Sequence, residues 1–128
     1  MPSNDEMKAA MRAYIERINA VDLEGVLALF APDATVEDPV GAGVHQGADA
    51  LRAFYSLALA NNARLFLTGP QVGSSSDYAV MPLRVEVSIP DTPVMQIDVI
   101  ETMRFDDAGK VIEMRAYWGQ EDMRVAGA

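Results

Sequence analysis

Cysteine is absent from the 128 residues, and His45 is the single histidine. Without cysteine the chain can form no disulfide, no thiolate nucleophile and no cysteine metal site. One histidine is too few for a histidine-rich metal site and does not indicate a Ser-His-Asp triad. The glycines form no nucleotide-binding fingerprint between a strand and a helix. We therefore expect neither a metal nor a cofactor.

Positive charge and long apolar runs are also scarce. The formal net charge is -9, and the lysines and arginines form no cluster, which argues against a nucleic-acid partner. No apolar run approaches the roughly 20 residues that span a bilayer. The N-terminal residues MPSNDEMK lack the basic start and apolar middle of a signal peptide. We expect no membrane insertion and a cytoplasmic location.

The length and the hydrophobic content of 50% suit one packed core, so we predict a single domain over residues 1–128. Helical spacing of apolar residues is confined to the first half. Three helices are predicted: one begins after a capping box of Ser3 and Glu6, a short one is capped by Asp22 and stopped by Pro32, and one spans 48–61.

Apolar residues elsewhere alternate or run together between turns. The predicted strands are 34–37, 65–72, 78–89, 94–105 and 111–118. Short turns between neighbours favour antiparallel pairing. The pattern indicates an α+β fold in which three N-terminal helices pack on one face of a curved, mostly antiparallel sheet. Such a sheet forms a cone with an apolar interior that suits a small hydrophobic ligand.

One acid interrupts an apolar face of the strand predicted at 94–105. The other residues on the face of Glu101 are Ile97, Val99, Met103 and Phe105. A carboxylate buried there must find a cation or keep its proton. Arg84 and Arg104 are predicted to point to the other face of the sheet, which argues against an ion pair with Glu101. We therefore favour a protonated Glu101 that donates a hydrogen bond. The alternative is a bulge or register error that leaves Glu101 in solvent.

Two further side chains are candidates for chemistry. Tyr14 lies on the apolar stripe of the first predicted helix, where its ring can pack while its hydroxyl needs a partner. The alternative is a core tyrosine whose hydroxyl reaches the surface. Asp38 ends a predicted strand immediately before Pro39, which favours an extended backbone. A single carboxylate there is otherwise a turn or cap residue.

The segment from Ala34 to Gly41, ATVEDPVG, resembles the catalytic-base segment of bacterial steroid Δ5-isomerases. These are the ketosteroid isomerases of the NTF2-like and SnoaL-like cone-fold superfamily. The resemblance covers most of the chain. Its other segments are Tyr14 with NAVD at 19–22, ALFA at 28–31, FY at 54–55, RF at 104–105, AGKV at 108–111 and MRA at 114–116. These segments carry the resemblance, because the cone fold alone hosts many activities.

The resemblance implies an isomerase that moves the C=C bond of a 3-oxo-Δ5-steroid into conjugation through a dienolate. Asp38 matches the general base of the family, and Tyr14 matches the phenol that donates to the ketone oxygen. A carboxylic acid kept neutral beside that phenol is a known feature of the family. Alignment on RF at 104–105 places Glu101 at that position. The implied partner is therefore a steroid substrate.

This chain departs from the family at the neutral acid, where the family commonly has Asp. Glu101 keeps the acid and lengthens it by one methylene, which affects how two donors converge on one oxygen. Asp98 is a competing candidate for the role, although strand parity and the downstream alignment both favour Glu101.

The resemblance and the strand parity also suggest substrate-binding residues. Tyr55 matches a tyrosine that hydrogen-bonds the catalytic phenol, Phe30 stands where some relatives have another tyrosine, and Trp118 matches an aromatic near the base. The predicted apolar lining is Met81, Leu83, Val85, Val99, Met103 and Met114. The alternative for each of these side chains is plain core packing.

Two other functions stay open. One is a SnoaL-like polyketide cyclase or epoxide hydrolase, although the epoxide route usually needs an Asp-Arg-Asp arrangement and parity sends Arg84 and Arg104 outward. The other is a non-catalytic protein of the same fold that binds a small hydrophobic ligand. By analogy with the family we expect a homodimer, which the outer face carrying Ile100 and Tyr117 could support.

Overall fold

The computed structural model describes residues 1–127. Its three α-helices all lie in the first half of the chain, as predicted. They are α1 (Asn4–Asn19), α2 (Leu23–Leu27) and α3 (Ala48–Ala60). The predicted capping box starts α1: Glu6 N donates to Ser3 Oγ at 3.1 Å, and Ser3 N donates to Glu6 Oε1 at 2.9 Å.

The second layer is one curved sheet. Its strands are β1 (Phe30–Glu37), β2 (His45–Gln46), β3 (Arg64–Leu67), β4 (Tyr78–Val87), β5 (Met95–Phe105), β6 (Val111–Tyr117) and β7 (Met123–Val125). The order is β2-β1-β6-β5-β4-β3, and β7 pairs with β5. All of these pairs are antiparallel except β1 with β6. The predicted α+β arrangement of three helices on a curved, mostly antiparallel sheet is confirmed.

The stretch around Phe30 differs from the prediction. Helix α2 ends at Leu27, and Phe30 begins β1 rather than extending the helix. The backbone there pairs with β6: Val111 N donates to Leu29 O at 2.9 Å, and Phe30 is opposite Val111. Pro32 lies where the register of β1 shifts, at a gap in the ladder that tolerates a residue without an N–H.

Smaller differences concern strand ends. Strand β3 ends at Leu67, and only an isolated bridge between Val72 and Val80 continues its predicted course. The short strands β2 and β7 and a 3-10 helix (Gln120–Asp122) were not predicted.

The core lies between the helices and the inner face of the sheet. The buried stripe of α1 is Met7, Met11, Tyr14 and Ile18, and α3 contributes Leu51, Tyr55 and Leu59. Alternate residues of β4 and β5 face this stripe, as a strand period of two requires. A pocket opens between these two helices and the inner face of the sheet.

Candidate active site

A pocket of about 200 Å³ opens between α1, α3 and the inner face of the sheet. The three residues predicted to carry chemistry, Tyr14, Asp38 and Glu101, all line it. The remaining lining residues are Ile18, Phe54, Tyr55, Ala58, Asn61, Ala63, Leu65, Val85, Val87, Ile97, Val99 and Trp118. A mostly apolar wall with a few converging polar groups is typical of a site for a small hydrophobic molecule.

Asp38 follows the last residue of β1 and is partly buried. The indole Nε1 of Trp118 donates a hydrogen bond to its Oδ1 at 2.7 Å. Burial raises the pKa of Asp38 above its ordinary value, because a carboxylate loses hydration there. The hydrogen bond from Trp118 and the nearby His45 oppose this rise in pKa. The result is a carboxylate with one supporting donor and raised basicity.

Glu101 is central in β5, opposite Met81 of β4 on one side and Ala116 of β6 on the other. The register is regular at this point, so no bulge turns the side chain outward, and Glu101 is only 3% exposed. Within residues 1–127 its Oε2 has no hydrogen-bond partner. Burial raises the pKa of Glu101 well above its ordinary value, and the negative charge of Asp38 raises it further.

No arginine reaches this carboxyl within the described residues. Arg84 Nε binds Glu86 at 3.0 Å, and Arg104 Nε binds Asp77 at 3.1 Å. Glu101 therefore lacks a cation that would stabilise its charge, and its environment favours the protonated form. A neutral carboxyl offers one O–H donor.

Tyr14 and Tyr55 meet through their hydroxyls, whose oxygens are 3.0 Å apart. Both rings are buried, and the Tyr14 ring packs edge-on against Phe30 and Tyr55 at centroid distances of 6.3 and 5.9 Å. Burial, with Glu101 adding to it, raises the pKa of both phenols well above the ordinary value. Both hydroxyls therefore remain protonated. Phe30 has no hydroxyl, so the chain of hydroxyls ends at Tyr55.

His45 belongs to β2 and is opposite Val36, two residues before Asp38. Its ring packs on Phe54 at a centroid distance of 5.0 Å. It is close enough to Asp38 for its charge to lower the pKa of that carboxyl, although it does not line the pocket.

The predicted binding residues fall into two groups. Four of them line the pocket: Tyr55, Trp118, Val85 and Val99. The other four are buried in the core and do not line the pocket: Met81, Leu83, Met103 and Met114. These four residues are on the predicted inner face, but the alternation does not show which part of that face the helices cover.

Eight lining residues were not predicted as site residues. Helical spacing could have indicated several of them: Ile18 is one turn after Tyr14, and Phe54, Ala58 and Asn61 lie on one side of α3 and its C-terminal cap. Val87 and Ile97 share the parity of the predicted lining residues. The other two are Ala63 and Leu65.

A family model for the SnoaL-like domain matches residues 11–114. This chain belongs to the SnoaL-like family. The match includes Tyr14, Asp38 and Glu101, and the predicted relationship is confirmed.

Two curated relatives are similar to this SnoaL-like chain along nearly its whole length. A steroid Delta-isomerase of Nocardioides simplex is 36% identical over 123 residues, which cover 96% of this chain and 98% of that protein. The epoxide hydrolase LasB of Streptomyces lasalocidi is 34% identical over 125 residues, which cover 95% of this chain but 44% of that protein.

A solved structure shows the same SnoaL-like fold. It is that of SalBIII, an epoxide hydrolase/cyclase-like enzyme described as acting in pyran ring formation in the polyether salinomycin. The TM-score is 0.89 at 23% identity, and the match covers 94% of this chain and 96% of SalBIII. At this identity the likeness establishes the fold alone.

The pocket of this SnoaL-like protein brings together two carboxyl groups, those of Asp38 and Glu101, and the phenol of Tyr14. A carboxylate can take a proton, and a phenol or a protonated carboxyl can donate a hydrogen bond, so these groups offer the elements of acid–base chemistry. Within residues 1–127, no group of three or more His, Asp or Glu side chains is placed to hold a metal ion. In the same range, no helix is long and apolar enough to cross a membrane.

Proposed function

We propose that this SnoaL-like protein is a steroid Delta-isomerase that converts a 3-oxo-Δ5-steroid to its conjugated Δ4 isomer. The observation that carries the proposal is that one apolar pocket contains two carboxyls in different settings: Asp38 accepts a hydrogen bond from Trp118, whereas Glu101 is 3% exposed and its Oε2 has no partner within residues 1–127. The similarity to the Nocardioides simplex steroid Delta-isomerase over 98% of that protein supports it.

In the proposed reaction the steroid ketone lies toward Tyr14 and Glu101. The Asp38 carboxylate takes a proton from the carbon between the ketone and the alkene, and the electron pair of that C–H bond forms a dienolate. Hydrogen bonds from Tyr14 and Glu101 stabilise the negative oxygen. Protonated Asp38 then returns the same proton to the far carbon of the diene, so the double bond moves without gain or loss of atoms.

Supporting side chains have distinct roles in this proposal. Trp118 holds Asp38 by its hydrogen bond of 2.7 Å and forms part of the pocket wall. Tyr55 holds the Tyr14 hydroxyl at 3.0 Å. Val85 and Val99 form apolar walls for the rings. By analogy with the family we also propose a homodimer through the outer face of the sheet, where Ile100 and Tyr117 are 45% and 41% exposed.

The length of the neutral acid is the distinctive feature of this site. The additional methylene of Glu101 is accommodated without a cation and without a hydrogen bond to Oε2 in the described chain. An unpartnered buried carboxyl costs about 1–3 kcal/mol. The proposal assigns that atom to the substrate oxygen, which becomes its partner when steroid binds.

The epoxide hydrolase/cyclase reaction is the second candidate, and the 34% identity to LasB favours it. Asp38 and Glu101 would then serve as base and acid at an epoxide. Within residues 1–127 the pocket wall contains no arginine or lysine, whereas the expected Asp-Arg-Asp arrangement needs one. We therefore place this reaction second.

The test is conversion of a 3-oxo-Δ5-steroid to the Δ4 isomer, followed by ultraviolet absorbance of the conjugated enone. Wild type should convert the steroid rapidly, and Asp38→Asn should be nearly inactive. Absence of wild-type activity, together with hydrolysis or cyclisation of an epoxide that depends on Asp38, would replace the isomerase with the second candidate.

A further inference from the structure

The polar groups of the pocket are not spread evenly along its wall. One polar group contains two hydrogen bonds, from Trp118 to Asp38 and between the hydroxyls of Tyr14 and Tyr55, and also includes the buried Glu101. The rest of the lining is apolar with a single exception, Asn61. A lone amide in an otherwise apolar wall is a recognition element in many small-molecule sites.

Asn61 lies far from the catalytic side chains. It is the C-cap of α3, six positions after Tyr55, which corresponds to about 9 Å of helix. Ser88 N donates to Asn61 O at 3.3 Å, which ties this residue to the end of β4. Glu101 is opposite Met81, which is seven positions before Ser88 in the chain, so Asn61 lies toward the other end of the inner face of the sheet.

The apolar residues between these two ends form a continuous wall. Going along the sheet from Glu101 toward Asn61, the lining residues are Val99, Ile97, Val85 and Val87. A rigid fused-ring ligand whose ketone contacts Glu101 therefore extends toward Asn61. An apolar wall between two polar ends suits an elongated hydrophobic molecule with one polar group at each end.

The Asn61 amide is available to such a ligand. Asn61 is half-buried, and within residues 1–127 its side chain makes no hydrogen bond. The other asparagines nearby are occupied: Asn62 Nδ2 donates to Ser88 O at 2.7 Å, and Asn19 bonds the backbone of Leu65 at 2.8 and 2.9 Å. Of these three asparagines, Asn61 is the one that lines the pocket and makes no side-chain hydrogen bond within the described residues, so its donors and its acceptor are free for a ligand.

We propose that Asn61 is a specificity residue that hydrogen-bonds an oxygen on the five-membered ring of the steroid, at the end opposite the reacting ketone. The inference rests on the proposed function and extends it to a substrate class. Steroids with a ketone or hydroxyl on that ring should be preferred over those with a CH2 there. The amide serves both oxygens, since it donates to a ketone and accepts from a hydroxyl.

Binding of inert phenolic steroids tests this contact without catalysis. Three phenols are compared by calorimetry, with a ketone, a hydroxyl or a CH2 on the five-membered ring. Wild type should bind the two oxygenated phenols about three- to tenfold more tightly than the third, the gain expected for one net hydrogen bond. Asn61→Leu should abolish this preference.

Two further variants sharpen the test. Asn61→Asp retains an acceptor but no donor, so it should keep a preference for the hydroxyl phenol and lose the preference for the ketone phenol. Val87→Ala is the matched control, because it alters the same end of the pocket without changing a polar group. It should weaken the binding of all three phenols by a similar factor and leave the ratios of their dissociation constants unchanged.

The outcomes separate the inference from the proposed function. If wild type binds the phenols but does not distinguish oxygen from CH2, or if Asn61→Leu keeps the preference, the inference is overturned while the isomerase can stand. If no phenol binds, the inference is overturned, and the ultraviolet assay of steroid conversion decides the proposed function separately. With matched 3-oxo-Δ5 substrates the same preference should appear in kcat/KM, chiefly through KM.

Discussion

The two carboxyls of the pocket differ in their burial and in their hydrogen bonding. Asp38 is at the end of β1, partly exposed, and receives a hydrogen bond from Trp118 at 2.7 Å. Glu101 is in the middle of β5, 3% exposed, and its Oε2 has no partner in residues 1–127. Burial raises the pKa of Asp38 above its ordinary value and the pKa of Glu101 well above its ordinary value. In the proposed function Asp38 is accordingly the base and Glu101 the neutral donor.

The largest expected effect comes from removing the base. Asp38→Asn keeps the shape of the side chain but cannot accept the proton, so kcat for steroid isomerisation should fall by about 10²- to 10⁴-fold. The ultraviolet assay measures the loss. Asp33→Asn, at an exposed position of the same strand, is the matched control and should retain wild-type kcat. Equal activity of Asp38→Asn and wild type would remove Asp38 from the mechanism.

Removing the neutral acid should produce the next largest effect. Glu101→Leu deletes one donor to the dienolate oxygen, and kcat should fall by about 10²- to 10³-fold. Asp98→Leu is the informative control, since Asp98 was the competing candidate and instead binds Arg124 Nη1 at 2.9 Å, with 61% of its side chain exposed. A larger loss from Asp98→Leu than from Glu101→Leu would reverse the assignment.

Replacing Glu101 should increase the stability of the protein, although it lowers kcat. Its pKa is raised in the folded state, so the folded protein binds more protons than the unfolded chain, and stability falls as pH rises from the ordinary glutamate pKa toward the raised one. Glu101→Gln carries no such proton. It should therefore raise the free energy of unfolding at neutral pH, because the penalty of keeping Glu101 protonated there is removed.

Urea denaturation at several pH values measures this difference. The gain from Glu101→Gln should vanish in acid, where wild-type Glu101 is protonated in both states. A gain that is independent of pH would show that Glu101 is not held neutral by burial.

The smallest expected effect concerns the hydrogen bond to the base. The pKa of Asp38 is raised by burial and partly lowered again by Trp118. Activity requires the carboxylate, so kcat/KM should rise with pH through the raised pKa of Asp38 and then level off. Trp118→Phe removes the donor, and the acid limb of the profile should move to higher pH. An unchanged limb would mean that Trp118 only shapes the pocket wall.

Regular periodicity made part of this site predictable from sequence. The alternation in β5 placed Glu101 inside, and the helical stripe placed Tyr14 inside, because one sheet face and one helix face are buried. The role of Asp38 came from the family resemblance and not from any periodic pattern. The two sources together identified the three polar groups that the structure brings into one pocket.

The remaining differences have tertiary causes. Phe30 was predicted to be helical, but it is the first residue of β1, because the backbone there pairs with β6. Strands β2 and β7 have two and three residues, too few for a periodic signal. Met81 and Met103 are on the same face of the sheet as the lining residues, yet they lie in the core. Alternation identifies the inner face of a strand, but it does not show which part of that face borders the pocket.

The central claim is that one pocket holds an ionised Asp38 and a neutral Glu101 at neutral pH. A ¹³C NMR titration of carboxyl-labelled aspartate and glutamate tests it directly, with Asp38→Asn and Glu101→Gln assigning the two signals. The account predicts that the Asp38 signal reports a carboxylate at pH 7 and that the Glu101 signal reports a protonated acid there. A Glu101 signal that titrates in the ordinary glutamate range would contradict it.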